Sequence, residues 1–176
     1  MKKIILAVIA VMAFSFANAQ DRHFKLGLNT GYAVGSGSQL VSFTYGLDAI
    51  YMLNLGEKLS VGGATGFFSF VGNDYEVGYY NPITNMSTVR IIEGPDLSFI
   101  PVAGSIQYSL NRSVFVGADL GYAFYVGKKD VGGTGGFLYQ PKVGYQNTKW
   151  EVYGSYKGIE NSGNIGSLNL GVNYKF

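Results

Sequence analysis

The chain contains no cysteine. That excludes a disulfide framework, thiolate metal sites, a thiol nucleophile and a lipid anchor on an N-terminal Cys. Its one histidine is His23, so no cluster of imidazoles can bind a metal and a single imidazole base is on offer. Charge is scarce: 14% of residues are charged, against about 25% in soluble domains. After Gln20 no apolar run reaches the ~20 residues that a spanning helix needs. The formal net charge is +2, from 13 basic and 11 acidic side chains, and Lys2 and Lys3 account for the excess. Without those two the chain is neutral, which argues against nucleic acid as a partner, because phosphates demand a basic surface. What is abundant is Gly (26), Tyr (14) and Phe (12) in a chain that is 47% hydrophobic. That is too apolar for disorder, and 176 residues suit one domain.

Lys2 and Lys3 precede an apolar segment, 4–16, broken only by Ser15, and Ala17-Asn18-Ala19 offers small residues for cleavage before Gln20. Residues 1–19 therefore read as a secretory signal peptide and 20–176 as the mature domain. An anchor helix is the competing reading, but the stretch is short for a span. If the mature chain enters a membrane it must do so as closed β-structure, because lipid offers backbone N–H and C=O groups no partner.

The mature chain alternates with period two. In 167–176 every even position is apolar or aromatic and every odd one is polar or Gly. The same pattern marks strands at 24–34, 41–53, 114–126, 137–146 and 150–157, and less cleanly at 59–71 and 97–110. Pro101 lies inside the last of these, so its missing N–H should fall at a bulge or a break in the ladder. The eight strands are joined by short turns (54–58, 110–112, 146–148) alternating with mostly longer connections (35–39, 72–95, 127–135, 159–166). Short turns on one rim and long loops on the other are the habit of outer-membrane barrels, and an even strand number puts both termini on the short-turn, periplasmic rim.

Alternation alone also fits a soluble barrel with an apolar ligand inside. Three features favour lipid outside. The polar face is full of small residues (Gly27, Gly31, Gly46, Gly117, Gly121, Gly144, Gly171), as the narrow lumen of eight strands requires. The strand charges outside the two irregular strands, Lys25, Asp48, Asp119, Lys142, Glu151, Lys157 and Lys175, all fall on that polar face. A Lys or Arg facing lipid at mid-depth costs about 2–4 kcal/mol. The apolar face ends in aromatics at both rims, such as Tyr51, Tyr108, Tyr145, Trp150 and Tyr174 at one and Phe43, Tyr45, Tyr122, Phe124 and Phe137 at the other.

These residues resemble a known group. The leader, the eight alternating strands and Leu168-x-Leu170-x-Val172-x-Tyr174-x-Phe176 are similar to small outer-membrane β-barrel proteins of the OmpA-barrel or OmpX type, over the whole mature chain. The Ile100-Pro101-Val102 element is similar to porin-like barrels of Bacteroidota type. The resemblance implies an all-β, eight-stranded antiparallel up-and-down transmembrane barrel located in the cell outer membrane. It also implies that Leu170, Val172, Tyr174 and Phe176 form the C-terminal signal read by the barrel-assembly machinery.

Catalysis finds little support. Enzymes in such barrels resemble His-based hydrolases and acyltransferases, and His23 stands alone at a strand start. Gly132-Gly133-Thr134-Gly135-Gly136 lacks the Lys-Ser/Thr ending of a phosphate loop and precedes a strand. Asp74, Glu76, Glu93 and Asp96 lack the spacing of a calcium loop. Asn85-Met86-Ser87 fits a glycosylation sequon, which is uninformative at a bacterial outer-membrane address. No catalytic residue, metal or cofactor is expected. The lumen charges say more. The strand meeting points near 37, 131 and 162–163 set Lys25 near Asp48, Asp119 near Lys142 and Glu151 near Lys175. A buried charge needs a partner, so these six should form an ion-pair network that plugs the lumen, with Lys157 left near the outer rim. In the long connection, Tyr75, Tyr79, Tyr80 and Ile83 are candidates for contact with an extracellular partner, or part of it extends strands above the membrane. The expected role is a non-enzymatic envelope barrel, structural or surface-interacting, whose other partner is outer-membrane lipid. The alternative is a channel for small solutes or ions, against which bulky Ile50, Met52, Phe115, Tyr125, Leu138 and Tyr153 inside the barrel speak.

Overall fold

The computed structural model describes residues 24–35, 41–81, 86–92, 94–127, 134–161 and 164–176. The leader, His23 and Ile83 lie outside them. Ten strands follow in order: β1 (Phe24–Val34), β2 (Val41–Asn54), β3 (Leu59–Gly72), β4 (Tyr75–Asn81), β5 (Met86–Ile92), β6 (Leu97–Ser109), β7 (Val114–Tyr125), β8 (Gly136–Gln146), β9 (Trp150–Glu160) and β10 (Asn164–Lys175). Eight of them close an antiparallel barrel in the order β1-β10-β9-β8-β7-β6-β3-β2, and β4 and β5 form a separate two-stranded sheet. The barrel's edge vanishes where β1 pairs with β10 from Lys25↔Lys175 to Val34↔Gly166.

The period-two pattern sets which way each strand faces, because a slip of one residue would turn every side chain over. Leu28, Leu47, Val102, Leu120, Val143 and Leu170 stand on the outside, with Leu170 69% exposed. Lys25, Asn29, Asp119, Glu151, Ser155 and Asn173 are buried inside. The outer wall is an apolar surface too extensive for water, so the barrel is built to stand in lipid.

Two prolines interrupt ladders. β3 and β6 pair up to Thr65↔Val102 and resume at Phe68↔Phe99, leaving Ile100 and Pro101 without partners on that side. The gap follows from the absent N–H of Pro101. Thr65 Oγ1 bridges it by donating to the Pro101 carbonyl at 2.8 Å. Opposite sits Gly66 at φ +159°, where a side chain would run into the Leu47 carbonyl. Pro141 does the same between β8 and β9, whose pairing lapses after Tyr139↔Gly158 and resumes in the same register at Lys142↔Ser155.

Two expected loops are corrected. The 159–166 connection is a short one, because β9 runs to Glu160 and β10 starts at Asn164. The 72–95 segment is a hairpin with register Tyr75↔Ile92 to Asn81↔Met86, in a sheet of its own. It therefore rises from the outer rim without extending the barrel ladders of β3 and β6.

Candidate functional site

Among the described residues, buried polar side chains gather in the lumen. Its lower layer, nearest the short turns, is centred on Glu151, which β9 points inward and which is 1% exposed. Glu151 Oε1 accepts from Lys25 Nζ at 2.7 Å, Lys175 Nζ at 3.2 Å and Gln107 Nε2 at 3.2 Å. Its Oε2 accepts from Asn173 Nδ2 at 3.2 Å. Lys25 also donates to Gln107 Oε1 at 2.8 Å, and Lys175 to Gln146 Oε1 at 2.9 Å. A polar vestibule of about 220 Å³ opens below this layer, lined among others by Lys25, Ser60, Gln107, Gln146, Glu151 and Lys175.

The middle layer holds two carboxylates. Asp119 pairs with Lys142 Nζ at 2.5 Å and accepts from Ser105 Oγ at 2.6 Å. Asp48 accepts from Tyr153 OH at 2.5 Å and Asn29 Nδ2 at 2.8 Å. Lys142 also lies 5.5 Å from the Tyr153 ring centroid.

The upper layer is built on an apolar cluster. Val41, Phe68, Phe70, Phe99, Ala103, Ala123, Leu138 and Ile159 form one buried cluster. Phe68 stacks on Phe99 at 5.4 Å between centroids, and Phe70 meets Phe99 edge-on at 6.2 Å. Lys157 sits 4.2 Å over the Phe68 ring.

Of the three expected ion pairs, Asp119–Lys142 and Glu151–Lys175 are brought together and Lys25–Asp48 is not. Strand β1 pairs with β2 so that Lys25 faces Ile50 and Asp48 faces Gly27. Lys25 crosses the lumen to Glu151 instead, because a carboxylate already shared with Lys175 and Asn173 lies within its reach. Lys157 is corrected too. It is 2% exposed, its stem lying among the apolar plug and its ammonium over an aromatic face, a favourable cation–π geometry. Bulky Ile50, Met52, Phe115, Leu138 and Tyr153 are buried in the barrel. Sequence reasoning missed Phe68, Phe70 and Phe99, which lie on the irregular strands. The available signal was the phase of β3: Ser60, Gly62, Ala64 and Gly66 share a face with Phe68 and Phe70.

The C-terminal residues Leu170 and Val172 face outward, and Phe176 packs edge-on against Tyr174 at 4.9 Å. Tyr75, Tyr79 and Tyr80 lie on β4 of the outer hairpin. Asp96 accepts from the Gly72 N–H at 3.1 Å, a local turn contact. Among the described residues no three His, Cys, Asp or Glu side chains gather into a metal-binding group.

A closed antiparallel barrel of this kind matches solved structures of transmembrane barrels. The fold is that of a small outer-membrane barrel. The chain is similar to Ail, the attachment invasion locus protein of Yersinia pestis, at 14% identity and a TM-score of 0.54, covering 88% of this chain and 97% of that one. It is also similar to a transmembrane β-barrel from a de novo design study, at 13% identity and a TM-score of 0.51, covering 89% and 98%. No family model matches the sequence, and no curated protein does.

Proposed function

We propose that the protein is a non-enzymatic integral outer-membrane barrel whose lumen is plugged and whose outer hairpin meets a partner outside the cell. The observation that carries the plug is the succession of filled layers: an ion-pair layer around Glu151, a second around Asp119 and Asp48, and an aromatic layer around Phe99. Ions crossing it would have to break buried pairs and then wet an apolar constriction. The hairpin supports the second part. Val89 and Ile91 on β5 are 61% and 65% exposed, apolar area that a partner could cover. Neighbours of this fold serve many roles, so the partner is not read from them. The C-terminal Leu170, Val172, Tyr174 and Phe176 serve as the assembly signal in this reading, and the Bacteroidota-type kinship rests on the Pro101 element.

Solute passage has one observation on its side, the vestibule at the inner rim. It ends against the Glu151 layer. Reconstitution into planar bilayers separates the two readings: a plugged barrel carries near-zero current, and a steady ohmic current from the wild type would overturn the proposal.

A further inference from the structure

The short-turn rim carries an arc of cations. The turn before β3 holds Lys58, the β6–β7 turn Arg112 and the β8–β9 turn Lys149, all exposed, and none forms an ion pair among the described residues. Lys175 stands at the vestibule mouth, with its side chain 15% exposed. Glu57 is the one exposed acidic side chain at this rim among the described residues. Among the described residues the opposite end is reversed: Asp74, Glu76, Asp96 and Glu160 are exposed there against Arg90.

The arc is held in place. Asn111 Oδ1 accepts from the Ser113 and Val114 N–H groups at 2.8 Å each, and Asn147 Oδ1 does the same for Lys149 and Trp150. Backbone bonds stitch neighbouring turns together: Ser109 N–H to the Lys58 carbonyl, Gln146 N–H to the Ser113 carbonyl, and Lys175 N–H to the Lys149 carbonyl, at 2.7–2.8 Å. The turns that carry the cations therefore keep their spacing. Directly beside the arc, Tyr51, Tyr108, Tyr145 and Trp150 face outward, each 42–57% exposed. Such a girdle marks the height of the lipid headgroups, which places the turn cations level with the phosphates.

We propose that Lys58, Arg112 and Lys149, with Lys175 behind them, form a binding arc for anionic phospholipid headgroups of the leaflet that the short turns face. This rests on the membrane-barrel reading above. The ligand chemistry is a phosphodiester in a headgroup of net negative charge. Zwitterionic headgroups bring a cation that the arc repels.

The test uses the full chain folded in phosphatidylcholine vesicles with trace spin-labelled lipid. Electron paramagnetic resonance reads the motionally restricted lipid at the barrel wall. Spin-labelled phosphatidylglycerol should associate more strongly than spin-labelled phosphatidylcholine, by roughly fivefold for one well-placed cation. The preference should vanish in 1 M salt, where charges are screened beyond about 3 Å. Lys58→Gln, Arg112→Gln and Lys149→Gln together should abolish it, while Asp74→Asn with Glu76→Gln should leave it intact. Equal association of both lipids with the wild type overturns the proposal and leaves the arc to a soluble polyanion. A preference that survives in the triple variant overturns it as well. Absence of any restricted lipid would instead sink the membrane-barrel reading itself.

Discussion

Glu151→Gln should destabilise the barrel more than any other isosteric change in the lumen. The substitution keeps shape and removes one negative charge from a site 1% exposed. Lys25 then loses its partner at 2.7 Å and Lys175 its contact at 3.2 Å. Removing one member of a buried pair costs about 3–5 kcal/mol, because the remaining charge stays desolvated. Lys175 can turn toward the vestibule and recover water, and Lys25 keeps Gln107 as an acceptor. The expected loss is therefore at the low end, about 3 kcal/mol. Urea unfolding in lipid vesicles measures it, followed by the loss of the band that migrates differently without boiling in SDS. That readout avoids the fluorescence of Trp150, which adjoins the mutated residue. A second variant isolates the cause. Lys25→Met with Glu151→Met removes both charges, and should be closer to the wild type than Glu151→Gln alone. A Glu151→Gln loss under about 0.5 kcal/mol, within the ordinary range of surface changes, would refute the claim that this pair is desolvated. A double variant as unstable as the single one would refute the claim that charge is the cause.

Other outcomes follow from the same geometry. Phe99→Ala should cost about 3–5 kcal/mol yet leave bilayer conductance near zero, because the Glu151 layer still closes the lumen; measurable current should need Phe68→Ala and Phe99→Ala combined with Glu151→Ala. Tyr153→Phe removes a donor to Asp48, and unfolding should register a loss of about 1.5–3 kcal/mol, the worth of a hydrogen bond to a charged group. At Gly158 an added Cβ would collide with the Tyr139 ring, so Gly158→Ala should lower the urea midpoint, and Tyr139→Ala in the same chain should restore part of it. Replacing 75–92 by a short Gly-Ser turn should leave the heat-modifiable barrel band unchanged, since β4 and β5 pair with each other, while abolishing attachment to any extracellular partner.

The barrel was legible because its solvent imposes a strict rule. Lipid on one face and a narrow lumen on the other force alternation, and β10 obeys it at every position from Ser167 to Lys175. Charge placement was legible for the same reason. What could not be read was the partner of each charge. Lys25 and Glu151 stand on strands separated by β10, and a long side chain crossing a narrow lumen is not bound to its ladder neighbours. The aromatic plug was hidden because in β3 Phe67, Phe68 and Phe70 put large rings on both faces, so hydrophobicity no longer told inside from outside. Pro141 escaped notice although the rule applied to Pro101 covers it equally.

The mixture of layers has a physical logic that an all-apolar lumen would lack. An apolar interior behind an apolar wall leaves register weakly specified, since a strand shifted by one residue would still place apolar groups on both sides. Here such a shift of β9 would put Glu151, Ser155 and Lys157 into lipid and carry Val152 inward. Lys157 alone would then cost about 2–4 kcal/mol at mid-depth, and the stranded Lys25 would add the penalty of an unpaired buried charge. The ion pairs thus specify alignment even where their net contribution to stability is small. The aromatic layer needs no such guidance. It forms where Ala33, Ala64, Ala103 and Ala123 leave room for Phe68, Phe70 and Phe99 to fill the lumen, and it seals the end that the ion pairs do not reach.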